Sequence, residues 1–150
     1  MRTGFAVTLA SGMLLIPTGH AAAERRIRMR NLPIAVQQAV KEQSKGATIN
    51  GLTKEVENGK TEYEAELTVN GHGKDISFDA EGRIVSVEEE VPLASLPEAA
   101  RGAIQKAAGT GKLQKVESVT ENGTSFYEAT IRTAGKSSEI KVAANGATVK

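Results

Sequence analysis

The chain has 150 residues, with 19 Lys and Arg against 18 Asp and Glu, a net charge of +1 and no cysteine. The lack of cysteine excludes disulfides, a lipid-modified cysteine and thiol chemistry. Charge is unevenly placed: residues 24–31 carry four Arg and one Glu, 32–95 six bases and twelve acids, and 96–150 eight bases and five acids. An acidic first half argues against general nucleic-acid binding, which needs a continuous basic surface to displace phosphate counterions.

In chain order, residues 1–23 read as a signal peptide. Arg2 supplies the positive start, Phe5 to Ile16 is an apolar stretch of the right length, and Pro17 to His20 break it before the small residues Ala21, Ala22 and Ala23. Cleavage after Ala23 is expected, which implies a periplasmic or secreted protein. The apolar run is too short for the roughly 20 residues of a spanning helix, so no integral membrane segment is expected after cleavage. Residues 24–31 form a basic N-terminal segment. Arg25, Arg26, Arg28 and Arg30 have the charge to touch an anionic surface, but beside a cleavage site they read first as a flexible solvated tail.

The rest of the chain is an internal duplication. A shift of 64 residues aligns 32–85 with 96–149 without a gap, and 15 of the 54 aligned positions are identical. The shared residues include Leu32/Leu96 and Pro33/Pro97 at a helix start, Asn58-Gly59/Asn122-Gly123 at a turn, and Tyr63/Tyr127, Ala65/Ala129 and Ile76/Ile140 on a strand face. Two copies of one fold must keep such residues in common. The division expected is repeat one over 32–95 and repeat two over 96–150.

Each repeat opens with a predicted helix. Asn31 and Ser95 are N-cap residues, the prolines fall in the first turn, and Ser95 to Glu98 match a capping box. Leu32, Val36, Ala39 and Val40, and then Leu96, Ala100, Ala103, Ile104 and Ala107, mark the buried stripes. Gly46, Gly109 and Gly111 supply the stops. Beyond each helix the polarity alternates. Asn58-Gly59 and Asn122-Gly123 are type I′ hairpin signals, and further turns fall at 70–73 with 134–135 and at 79–82 with 144–146.

The predicted fold is therefore α+β: two repeats, each a helix packed on a four-stranded antiparallel meander. Alternation turns Tyr63, Ala65, Leu67, Val69, Ile76, Phe78, Val85 and Val87 toward the helix, with Tyr127, Ala129, Ile131, Ile140, Val142 and Val149 as their counterparts. It leaves Glu62, Glu64, Glu66, Thr68, Asp75, Ser77 and Ser86, then Glu128, Thr130, Arg132, Glu139 and Lys141, on the open face. Phe126 is the large apolar residue that breaks this second series. Units of about 60 residues are marginal alone, so the two sheets are expected to join edge to edge or share a core.

Catalytic patterns are missing. After removal of the leader there is one histidine, His72, in a glycine-rich turn, and no Gly-x-Ser-x-Gly elbow, so neither nucleophilic catalysis nor a His-rich zinc site has its residues. The carboxylates Glu62, Glu64 and Glu66 lie about 7 Å apart along one strand, a linear array rather than the six to eight converging oxygens that Ca²⁺ takes. They read as solvated charge that keeps an open sheet face from aggregating. No cofactor, no metal and no enzymatic activity are expected.

Leu32-Pro-Ile-Ala-Val36, Lys54-Glu55 with Glu57-Asn-Gly-Lys-Thr61, Tyr63-Glu64 and Phe78-Asp-Ala-Glu-Gly82 resemble the PepSY-like family of β-lactamase-inhibitor-like periplasmic proteins. The resemblance covers nearly all of 31–150. The second copy departs from it, with Ala143 in place of Asp79 and Ser118-Val119 in place of the Lys-Glu pair. The resemblance implies a tandem of helix-on-four-strand units, export, and a role in binding or inhibition. Such an analogy speaks to fold before function.

The functional expectation is a non-enzymatic module that binds or inhibits an extracytoplasmic protein such as an enzyme; a stand-alone envelope structural or small-ligand-binding protein is the alternative. The binding surface expected is the open face, with Phe126 as an exposed aromatic anchor unless a bulge or the contact between repeats buries it, Glu128, Thr130 and Arg132 as its polar rim, and Glu62, Glu64 and Glu66 as an acidic patch for a basic partner.

Overall fold

The computed structural model of the chain describes residues 25–149, apart from Asn58. The expected signal peptide, its cleavage point and Asn58 of the first hairpin lie outside the described residues. The elements run β1 (Arg25–Arg26), α1 (Ile34–Gln43), β2 (Thr48–Glu57), β3 (Lys60–Val69), β4 (His72–Phe78), β5 (Ile84–Glu90), α2 (Glu98–Ala108), β6 (Lys112–Glu121), β7 (Thr124–Thr133) and β8 (Lys136–Val142). All eight strands form one antiparallel sheet in sequence order.

That single sheet corrects the expectation of four strands per repeat. Among the described residues repeat one supplies β2 to β5, whereas repeat two supplies β6 to β8 and, in place of a fourth strand, a single bridge between Val142 and Thr148. The repeats join edge to edge through β5 and β6, with Glu88 opposite Val119 and Glu90 opposite Glu117. The basic segment is no tail. Arg25 and Arg26 pair with Lys54 and Thr53, and Ile27 and Met29 pack on the first core, because two apolar residues interleaved with the arginines give the segment something to bury.

Both helices lie on one side of the sheet over separate cores. Leu32, Val36 and Val40 meet Leu52, Tyr63, Ala65, Leu67, Ile76 and Phe78; Leu96, Ala100 and Ile104 meet Val116, Ala129 and Val142. The predicted stripes hold except at Ala107, which is exposed. The helix starts differ from expectation. Asn31 and Ser95 end short 3₁₀ turns, Pro33 and Pro97 occupy the N-cap positions without a side-chain cap, and the Ser95 hydroxyl donates back to the Pro92 carbonyl at 2.7 Å. The residue before a proline is pushed toward extended backbone, so Leu32 and Leu96 cannot enter the helix and the caps shift.

The turns follow the sequence closely. Asn122 and Gly123 have φ of 49° and 80°, as a type I′ turn requires. Gly82 (φ 78°) and Gly146 (φ 81°) serve a second purpose. A Cβ on either would stand 2.7 Å from the carbonyl oxygen of Ala35 or Ala99, so each glycine lets a sheet loop close against the first turn of its helix. In repeat one the loop is tied by Asp79, whose carboxylate accepts from the N–H groups of Glu81 (3.0 Å) and Arg83 (2.9 Å). In repeat two Asn145 takes over part of this role, accepting from the Ala147 N–H at 3.0 Å.

Candidate functional site

With both helices on one side, the other side of the sheet is the open face. Cross-strand register places its side chains in rows. Glu66 of β3 is opposite Asp75 of β4, Asp75 is opposite Glu88 of β5, Glu88 is opposite Val119 of β6, and Val119 is opposite Phe126 of β7. In the adjoining row Glu90, Glu117 and Glu128 stand opposite one another in turn, and Lys141 of β8 closes the series. Directly opposed side chains lie about 5 Å apart at Cβ, so six carboxylates occupy two neighbouring rows across five strands.

Few cations answer them. Lys115 Nζ lies 2.8 Å from Glu117 Oε1, Lys141 Nζ 3.4 Å from Glu128 Oε2, and Arg26 Nη2 3.5 Å from Glu66 Oε2. Arg26 reaches across from β1 because the residue beneath it is Gly51, where a Cβ would meet both its guanidinium and the Glu66 carboxylate at 2.8 Å. Glu117 is 5% exposed, an unusual depth for a carboxylate on a solvated sheet face. Burial raises the Asp75 carboxyl above its ordinary value; Lys115 pulls it back, and Glu117 and Glu66 push it up. Burial also raises Glu88, helped by Glu117, Glu128 and Asp75 and opposed by Lys115. For the Lys115 ammonium burial works the other way, yet its hydrogen bond to Glu117 and the charges of Glu117, Asp75 and Glu88 hold its pKa above the usual lysine value.

Glu62, Glu64, Glu66, Glu128 and Thr130 sit half-buried on the open face, and Arg132 is exposed there. Phe126 takes the buried alternative. It lies on the open face as its parity requires, yet it is only 5% exposed, packed opposite Val119 (3% exposed) with Lys141 Nζ 5.2 Å from its ring centroid. It is floor, not exposed anchor: Val119 from one neighbouring strand and the Lys141 side chain from the other cover it. Val85 and Val149, expected toward the helices, instead line surface hollows with Glu62 and with Phe126 respectively. Val85 is the extra residue of a bulge between β4 and β5, which displaces it from the alternation.

Sequence reading missed the residues that make this face distinctive. Alternation places Asp75 on the open side and says nothing more of it, and it gathers Glu88, Glu90, Glu117 and Lys115 into no site; adjacency between repeats is invisible until β5 and β6 are known to pair. Among the described residues no group of three or more His, Cys, Asp or Glu side chains is arranged to hold a metal ion, and no helix is long and apolar enough to cross a membrane.

A family model described as "Putative beta-lactamase-inhibitor-like, PepSY-like" matches the chain twice, over residues 22–86 and 61–150. No functionally curated protein matches it. Among solved structures the fold is similar to one described as "putative periplasmic proteins" from Bacteroides eggerthii (18% identity, 79% of this chain and 86% of that one, TM-score 0.65). A BLIP-like protein from Bacteroides fragilis is 21% identical over 77% of this chain and 82% of its own, with a TM-score of 0.57. A DUF2874 family protein from Bacteroides uniformis is 20% identical over 79% and 86%, with a TM-score of 0.63. At these identities the likeness establishes the shared fold.

Proposed function

The chain belongs to the PepSY-like, β-lactamase-inhibitor-like family, and from that premise we propose that it is an exported, non-enzymatic module whose open sheet face binds an extracytoplasmic protein through a basic surface. The observation that carries this reading is the crowding of Glu66, Asp75, Glu88, Glu90, Glu117 and Glu128 on the sheet face opposite α1 and α2. Like charges directly opposed across strands are destabilising, and a fold that holds Asp75 and Glu88 half-buried beside Glu117 has kept charge where it weakens the free protein. A cationic partner surface would offset that repulsion.

Within this reading Glu62, Glu64 and Glu66 extend the acidic surface, Glu128 stands next to Phe126 along the open face of β7 with Thr130 beyond it, and Arg132 lies at the rim. Phe126 supports the surface from below. The family's inhibitor-like description and the BLIP-like neighbour favour an enzyme as partner and inhibition as the outcome. The periplasmic description of the Bacteroides eggerthii protein, with the leader-like residues 1–23, supports export.

The test is capture from an envelope extract on immobilised protein, comparing wild type with the charge-reversed Glu88→Lys/Glu90→Lys. A stoichiometric partner that is held by wild type, released by moderate salt and lost from an equally stable variant supports the proposal. Capture that ignores charge reversal, or no stoichiometric partner, overturns it and favours the stand-alone envelope role.

A further inference from the structure

The arginine-rich segment ahead of repeat one is fixed by its backbone. The Ile27 N–H donates to the Leu52 carbonyl at 2.9 Å, the Asn31 N–H to the Arg28 carbonyl at 2.8 Å, and the Leu32 N–H to the Met29 carbonyl at 3.1 Å. With Ile27 and Met29 anchored on the core, the intervening side chains project from defined points. Arg25 thereby comes directly opposite Lys54 across the β1–β2 ladder.

These residues frame a cavity of about 360 Å³ lined by Arg25, Arg26, Ile27, Arg28, Asn31 and Lys54. Four of the six are cations and none is an acid. Arg26 is engaged with Glu66; among the described residues no carboxylate comes within ion-pair distance of Arg25, Arg28 or Lys54. Opposed like charges on neighbouring strands destabilise a ladder, so this edge carries a positive potential that no described carboxylate pairs with.

We propose that this cavity is a binding site for a phosphate-class oxyanion, seated between Arg25, Arg28 and Lys54 with the Asn31 amide at its margin. Guanidinium groups present paired N–H donors that match the oxygens of a phosphoryl group two at a time, and the lysine adds a point charge. Three cations that no described carboxylate engages suit a phosphoryl group, with oxygens for several donors at once, better than a carboxylate with two. Seating the anion also cancels the Arg25–Lys54 repulsion, so occupancy stabilises the fold by mass action. The cavity lies at the outer edge of the sheet and meets the acidic open face at Arg26, whose guanidinium pairs with Glu66. The phosphoryl group can belong to a soluble phosphate or to an anionic lipid headgroup.

The experiment measures the melting temperature and calorimetric binding of the exported chain in sodium phosphate against sodium chloride at matched ionic strength, for wild type and for Arg28→Gln/Lys54→Gln. Phosphate should raise the wild-type melting temperature saturably. The double variant should bind phosphate at least about tenfold more weakly, while melting no lower than wild type in chloride, because it has lost a repulsion and not a core contact. Flotation with phosphatidylglycerol and phosphatidylcholine vesicles separates the sources: binding to the anionic vesicles alone, competed by phosphate, assigns the site to a headgroup, and saturable phosphate binding without flotation assigns it to the soluble ion. Equal responses of wild type to phosphate and chloride, or an undiminished phosphate response in the double variant, overturn the proposal.

Discussion

At positions 64 residues apart the two repeats carry different chemistry on the same piece of sheet. Where repeat one has Glu55 opposite Glu62, repeat two has Val119 opposite Phe126. Buried Thr53 of the first is buried Glu117 of the second, and Gly51, which lets Arg26 cross to Glu66, is Lys115, which itself holds Glu117. Toward the helices the repeats agree: Tyr63 and Tyr127, Ala65 and Ala129, and Gly82 and Gly146 are placed alike. The helix side and the turns are constrained by having to make the fold, whereas the open face is constrained only by remaining satisfied, and it has met that requirement once with charge and once with an apolar pair under a lysine.

The sharpest way to break this comparison is to truncate the pair at which the repeats differ most. Phe126→Ala should cost about 3–5 kcal/mol, as truncation of a buried aromatic does, whereas Glu62→Ala at the equivalent position should stay within about 1 kcal/mol. Chemical denaturation of both variants checks the ranking, and equal costs would show that Phe126 is not part of a core.

The converse test uses positions at which the repeats agree. Gly82→Ala and Gly146→Ala each place a Cβ against a helix carbonyl and force a left-handed backbone on a non-glycine residue, so each should lose about 2 kcal/mol or more. Similar losses from the two, read from melting temperatures, would confirm that both loops buttress their helices in the same way.

A smaller effect sharpens the turns. Ala134 holds φ at 50° where repeat one has Asn70 at 51°, and asparagine tolerates that region better than alanine. Ala134→Gly should therefore stabilise by about 0.5–1 kcal/mol, visible as a modest rise in melting temperature.

The smallest expected effect is a pH dependence at the seam. Asp75 and Glu88 have folded-state pKa values above their ordinary ones, so the folded chain binds their protons more tightly than the unfolded chain does. Their contribution to stability is fully present below the ordinary carboxylate range and is lost as pH rises from about 4 through the raised values. Asp75→Asn/Glu88→Gln should accordingly melt higher than wild type near neutral pH, with the gain shrinking toward about pH 4. A gain that does not change with pH would point to packing instead of charge.

Much of the fold was legible before the structure. The duplication, both helices, the hairpin turns and the parity of β3, β4 and β7 all follow from local chemistry: a glycine after an asparagine sets a turn, and a period of two sets a face, whatever lies elsewhere in the chain. The candidate site was legible only as a list of open-face residues. Its acidic centre joins Asp75 and Glu88 of one repeat to Glu117 and Glu128 of the other, and nothing local says that β5 and β6 are neighbours.

By itself, then, the sequence determined which side of the sheet each residue takes, because alternation is a property of a single strand. Only the tertiary structure decided how deep that residue lies, because depth is set by other strands. Phe126 shows the division. Its place on the open face could be counted from Tyr127, but its burial depends on Val119 from β6 and Lys141 from β8, which reach it only once the sheet is assembled. The same holds for the arginines at 25–28: their charge was plain in the sequence, while their convergence on Lys54 came from Ile27 and Met29 finding a core to bury against.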